Sequence, residues 1–362
     1  MQVEWLIFFY IGVSVAMAFF DLGFAAFEHT RDVLFKRETQ RMALSLNEEI
    51  VLNAKFPTAK HKHRLTQRLK RLPALEAFDL TMQQFRGLDE ENAEMYLLGI
   101  GDVFERLALY YQQKKPLNKA YYAYILKRWY RTRPASPAIV HTLMLFVEQG
   151  TVFLRQNAFE ALAQLEDVDV VVRAIKLLDD NSAFHHPKLI TETVLIFAGD
   201  KDALADALAA DLDDFSPATQ CAIINFLRMR HRGDRAHLLE TMKDDQIDRE
   251  IRLACVRYFM TNPWSQAESV LRTFAQESDS GEWEYASVAA SALAAYPGPE
   301  TIELLKGLLT SPVWYVRYNA AKSLYDLGAT LEADLADVLE GDDRYAREMV
   351  QYRWDFEEAS EA

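Results

Sequence analysis

His61 and His63, one residue apart, and the adjacent His185 and His186 are the side chains whose type and spacing come nearest to a metal site. The first pair sits in a cationic run from Lys60 to Arg64, where repulsion disfavours a metal ion. The second precedes Pro187 at an expected helix start and has no third ligand close in sequence. Cys221 and Cys255 make neither a disulfide framework nor a zinc site, and read as small core residues. The sequence holds no glycine-rich phosphate loop, nucleophile elbow, His-Glu-x-x-His or Cys-x-x-Cys. No cofactor, metal or small-molecule substrate is expected, and the chain is not expected to be an enzyme.

Asp21 is the other residue with chemical potential. It is the single charge in an apolar run from Trp5 to Phe27. As a helix this run spans about 34 Å, enough for a hydrocarbon core of about 30 Å. No basic residue precedes it, and no small-residue cleavage site follows, so an uncleaved membrane anchor is expected over 1–27. At 100° per residue, Ser14, Ala18, Asp21 and Ala25 share one narrow face, opposite Phe9, Phe20, Phe24 and Phe27. A small and polar stripe suits close approach to a second membrane helix, with Asp21 seeking a partner. Hydration of Asp21 near the membrane boundary is the alternative.

The remaining residues have to be positioned by helices. Half the 362 residues are apolar and 26% are charged, which excludes a disordered chain, while 13 Gly and 11 Pro leave few turns for a β fold. The net charge of −14 disfavours nucleic acid as a partner. That charge is uneven: residues 1–147 carry +5 and the rest −19. Between 28 and 73 there are 11 basic and 5 acidic residues, suited to anionic lipid head groups. Arg31, Lys36, Arg37 and Arg41 follow the apolar run, so the positive-inside rule puts the body in the cytoplasm beneath a plasma or inner membrane. Helices are expected near 30–53, 60–86, 89–113, 117–132 and 137–149. The helix holding Tyr121, Tyr122, Tyr124, Lys127, Arg128 and Trp129 is basic and aromatic, a packed face whose basic side would meet lipid or a partner.

The second half repeats. A basic residue, a small or apolar one three later and a large apolar one seven later recur as Arg155/Ala158/Leu162, Lys188/Thr191/Leu195, Arg252/Cys255/Phe259, Arg317/Ala320/Leu324 and Arg347/Val350/Trp354. Degenerate copies stand at Gln220/Ile223/Leu227 and Ala286/Ala289/Leu293. The middle positions fall 33, 32, 32, 34, 31 and 30 residues apart, a period of helical hairpins that bury their faces by stacking. Ser216-Pro217, Asn262-Pro263 and Ser311-Pro312 are expected to place a capping side chain before a first-turn proline.

The Val-Arg-x-x-Ala-Ala core of 316–321, behind a turn and a short helix, resembles a HEAT repeat of the short bacterial type, and the resemblance extends over about 150–356. It implies an all-α, right-handed α-solenoid of HEAT-like hairpins, with the second helices lining the concave side. It also implies a structural ladder in which Arg155, Lys188, Arg252, Arg317 and Arg347 meet acids of neighbouring repeats, rather than an anion-binding row. It implies no chemistry, because such folds range from scaffolds to a few enzymes. The expected organisation is thus an anchor (1–27), a basic helical membrane-proximal region (28–147), repeats (148–356) and an acidic tail (357–362).

The last repeats are rich in aromatics. Trp283, Tyr285, Trp314, Tyr315, Tyr345 and Tyr352 are candidates for binding a partner, with the core as the competing destination. The expected function is a membrane-anchored scaffold that holds an integral membrane or cytoplasmic protein. Analogy with one-helix HEAT proteins suggests an accessory subunit of a membrane glycosyltransferase or another envelope polysaccharide machine. The rivals are a HEAT-like lyase or DNA glycosylase, and a secreted or periplasmic solenoid whose N-terminus is removed.

Overall fold

No proline occurs before Pro57, and Gly12 and Gly23 are the only glycines in the first 53 residues. Nothing in the sequence therefore interrupts a helix there. In the computed structural model, α1 (Gln2–Asn53) runs unbroken for 52 residues, about 78 Å. The description covers the backbone of residues 2–180, 185–276 and 283–361, and the side chains of these except 2–4, 6, 7 and 357–361. The side chains of the expected acidic tail thus lie outside the described residues, although the last helix runs through that segment to Glu361. The anchor and the helix expected near 30–53 are one element.

The chain divides into two compact units, 1–165 and 166–362. The expected boundary at 147/148 lies one helix earlier. In the first unit α1 is followed by α2 (Ala59–Arg68), α3 (Leu72–Leu88), α4 (Glu90–Gly99), α5 (Gly101–Gln112), α6 (Pro116–Trp129), α7 (Pro137–Gln149) and α8 (Val152–Ala163). The helix expected over 60–86 breaks at Leu69–Arg71, because Pro73 sits in the first turn of α3, where its missing N–H costs nothing. The helix expected over 89–113 breaks at Ile100. Met42, Leu46 and Ile50, four apart on one face of α1, are buried and pack that helix on α3. Helices α5–α6 and α7–α8 are hairpins stacked first helix on first and second on second.

The second unit continues with α9 (Val168–Asp180), α10 (Pro187–Leu195), α11 (Lys201–Ala210), α12 (Pro217–Arg230), α13 (Arg235–Lys243), α14 (Arg249–Thr261), α15 (Ser265–Gln276), α16 (Trp283–Ala292), α17 (Pro299–Leu308), α18 (Trp314–Asp326), α19 (Ala336–Glu340) and α20 (Arg344–Glu361). Helices α10, α12, α14, α16, α18 and α20 form one continuous row, each packed on the next, with a partner helix behind all but the first of them. The unit is an all-α solenoid of stacked helical hairpins, and the described residues contain no β-strand.

All seven repeat positions read from the sequence, Ala158, Thr191, Ile223, Cys255, Ala289, Ala320 and Val350, are buried on second helices. Small side chains there let neighbouring helices approach. The approach is close enough for side chains to bond backbone one repeat away. Thr191 Oγ1 donates to Ala222 O (3.0 Å), Ser323 Oγ to Ala290 O (2.7 Å), and Asn319 Nδ2 to Ser287 O (2.9 Å). Turns obey equally local rules. Helix α18 ends where Ala329 N–H reaches back to Leu324 O, a closure that needs the left-handed φ of +76° at Gly328.

The caps differ from expectation. Ser216 does precede Pro217 at the start of α12, but its hydroxyl bonds Asp179 instead of the helix end. Asn262 closes α14 rather than opening the next helix, donating to Arg228 O one repeat back (3.1 Å). Aspartates do the capping: Asp200, Asp234, Asp248 and Asp343 accept first-turn N–H groups of α11, α13, α14 and α20.

Candidate interaction site

Helices α16, α18 and α20 stand side by side, so aromatic residues one repeat apart come together. Trp283 stacks on Tyr315 (ring centroids 5.8 Å apart), and Trp314 stacks on Tyr318 (4.9 Å) while meeting Tyr315 edge-on (5.2 Å). The buried Arg353 of α20 lies over Tyr318 (5.2 Å) and Phe356 (5.8 Å). Arg317 lies over Tyr345 (5.3 Å). Rings held on both sides in this way lose little freedom on binding.

Despite these internal contacts the rings face solvent: Trp314 is 49% exposed, Tyr315 57%, Tyr345 65% and Tyr352 54%. Trp314, Arg317, Tyr345, Glu348, Met349 and Tyr352 line a groove of about 240 Å³. Tyr285 is a correction to the sequence reading. It is 2% exposed, packed on Phe274 (5.0 Å) and under Arg252 (4.9 Å), because its place in the first turn of α16 turns it toward α15. Phe356, 53% exposed and beside Tyr352 (6.2 Å), joins the surface. Its spacing of four from Tyr352 was the available signal.

The expected arginine ladder takes another form. Arg252 Nε donates to Met242 O (3.1 Å), Arg317 Nη1 to Ser311 O (2.6 Å) and Arg347 Nη1 to Gly341 O. Each guanidinium thus binds a carbonyl of the preceding turn, where an orphan helix-end acceptor waits, instead of a neighbouring acid. Lys188 is exposed and reaches only Glu192 of its own helix (3.7 Å), and Arg155 is buried. Ion pairs between repeats come from other residues: Lys176–Asp211 (2.7 Å), Arg249–Glu284 (2.5 Å), Lys306–Asp337 (2.9 Å) and Arg272–Glu300.

In the first unit the basic, aromatic helix α6 turns its cations inward. Asp79 accepts from Arg128 (2.8 and 2.9 Å) and from the Trp129 indole (2.7 Å), and Lys127 pairs with Glu160 (2.8 Å). Arg131 beyond its end pairs with Glu94 (2.8 Å). The same short-range logic occupies His61, whose Nε2 lies 2.7 Å from the Tyr96 hydroxyl with Glu49 at 3.9 Å. His186 caps α10 through Nδ1. Among the described residues no group of three or more His, Cys, Asp or Glu could hold a metal ion. Burial pushes the thiols of Cys221 and Cys255 up to about 11 and about 12, so both stay protonated and unreactive.

On α1, residues 8–32 are all exposed, including Ser14, Ala18, Asp21 and Ala25. From Phe8 the helix is long and apolar enough to cross a membrane, with a mean hydropathy of 1.8 in its apolar window.

Residues 269–352 match the family model for HEAT repeats, a stretch that contains most of the aromatic groove. No curated protein matches the chain. Among solved structures, human deoxyhypusine hydroxylase in complex with glycerol is 15% identical over 83% of this chain and 96% of that one. The TM-score is 0.29.

Proposed function

We propose that this protein is a membrane-anchored scaffold: residues 1–27 span a bilayer, the body lies on the cytoplasmic side, and the last repeats hold a protein partner without transforming it. The carrying observation is the ring cluster of α16, α18 and α20, in which Trp314, Tyr315, Tyr345 and Tyr352 are about half exposed while Tyr318 and Trp283 stack behind Trp314 and Tyr315. Tyr and Trp on a rigid helical face are the residue types that dominate interface energetics. The HEAT-repeat match over 269–352 supports the same reading, since such solenoids present extended binding surfaces. The exposed apolar half of α1 supports the anchor, because 25 consecutive solvent-facing residues of that composition would otherwise lie in water.

The finer identity, an accessory subunit of a membrane glycosyltransferase or another envelope polysaccharide machine, is analogy and needs the partner itself. Pull-down from detergent-solubilised membranes identifies it. Trp314→Ala, Tyr345→Ala and Tyr352→Ala should each weaken capture of a cytoplasmic partner by about 2 kcal/mol, roughly 30-fold, with helicity unchanged. Asp21→Leu should weaken capture of an integral membrane partner only. Equal recovery by all four variants overturns the scaffold reading. An intact mass lacking the first 25–30 residues would favour the secreted alternative.

A further inference from the structure

A cavity of about 830 Å³ opens between α1 and the start of α3, within the range of ligand pockets. Arg31, Arg37 and Arg41 of α1 and Arg71 at the cap of α3 line it. Three carboxylates also lie there, yet they do not cancel the four guanidinium groups. Glu38 is engaged by Arg68, a fifth arginine outside the lining, through bonds of 2.9 and 3.3 Å, with Arg71 at 3.9 Å. Burial pushes the Glu76 carboxyl above its ordinary range, against the opposing pull of the Arg31 guanidinium. Asp32 is the exposed carboxylate of the lining. The walls between the charges are apolar, from Leu34, Phe35, Leu72 and Ala74.

Placement says what anion would arrive. Arg31 follows Phe27 by four residues, about 6 Å along the helix, and the head-group layer is about 5–8 Å deep. Arg37 stands about 15 Å beyond Phe27 along the axis, a height that tilt of α1 and the backward lean of its long side chain reduce toward that layer. Guanidinium groups match phosphate oxygens in bidentate fashion.

We infer that this cavity binds the phosphate of an anionic phospholipid from the leaflet that α1 leaves. The inference rests on α1 being a membrane anchor. The site fixes the rotation of α1 relative to the surface, which a hydrophobic span alone does not.

The full-length protein is reconstituted in phosphatidylcholine vesicles with and without phosphatidylglycerol, and lipid retained after detergent extraction is read by native mass spectrometry. The protein should keep phosphatidylglycerol in preference to phosphatidylcholine. Arg37→Gln with Arg71→Gln should lower that preference about 25-fold, about fivefold per charge. Lys60→Gln with Arg64→Gln removes two exposed charges outside the cavity and should leave it near the parent value. Equal retention by the two double variants, with both inserted, overturns the site and leaves the anchor standing. Displacement of the lipid by excess inorganic phosphate makes this a site for free anions and overturns the lipid assignment. Protein that stays in the aqueous phase with either vesicle overturns the anchor, and the site with it.

Discussion

Asp79 shows how a single residue decides the fate of a whole helix face. With its side chain 9% exposed, it gathers Arg128 and the Trp129 indole, so the cations that read from sequence as a lipid- or partner-facing side close an internal network. Asp79→Ala leaves a half-buried guanidinium and a buried indole N–H without their acceptor. It should cost about 3 kcal/mol, seen as a lowered urea midpoint by near-UV circular dichroism, with Asp79→Asn recovering part of it. His61 makes a prediction of opposite sensitivity. Burial holds its imidazole below the ordinary 6.5, against the pull of Glu49. The unfolded chain takes up that proton more readily than the native one, so stability is complete above 6.5 and falls as the pH drops below it. Thermal unfolding across that range should show the slope, and His61→Asn should flatten it. Tyr285 was legible from the repeat register: it stands one place before Ala286 as Val316 and Ala346 stand before Arg317 and Arg347, all three are buried, and ring type alone likened it to the exposed aromatics.

At the level of elements, the period was legible because its cause is geometric. Where two second helices touch, the residue between them has to be small or smoothly apolar, and all seven such positions are buried. Ala320 is fully buried in the row formed by α16 and α18. Ala320→Leu should therefore overpack that row and cost about 2 kcal/mol in chemical denaturation, while Lys322→Leu, on the exposed side of α18, should cost little. The hairpin α5–α6 escaped notice although its second helix carries Lys119/Tyr122/Leu126 in the same spacing. Its middle residue is a tyrosine, buried and donating to Phe104 O (2.6 Å), so the small-residue criterion passed over it. The partners of the ladder arginines were invisible for a different reason. A carbonyl acceptor leaves no mark in sequence, whereas the nearby aspartates suggested ion pairs that the fold spends on caps.

For the molecule as a whole, the prediction concerns what the first 27 residues contribute. Residues 8–27 are all exposed, and the buried face of α1 begins at Met42. Deleting 1–27 should leave helix content per residue and the unfolding of both units unchanged while moving the protein from the membrane fraction to the soluble one. Loss of structure on deletion would give those residues a packing role instead. The apolar run is plain in the sequence. That it and the packed segment are one rod was not, because continuity shows only as the absence of any breaker before Pro57.

That continuity has a mechanical consequence. A body joined to its span by a flexible linker can swivel independently, but here Met42, Leu46 and Ile50 clamp the rod itself into the first unit. With a rise of 1.5 Å per residue, a 10° change in tilt shifts one end of α1 relative to the other by on the order of 14 Å. If residues 1–27 span a bilayer as proposed, its thickness, or torque from a neighbouring span on Asp21, would be delivered to the helices packed on α1 as a lever delivers it, with no joint to absorb the stroke.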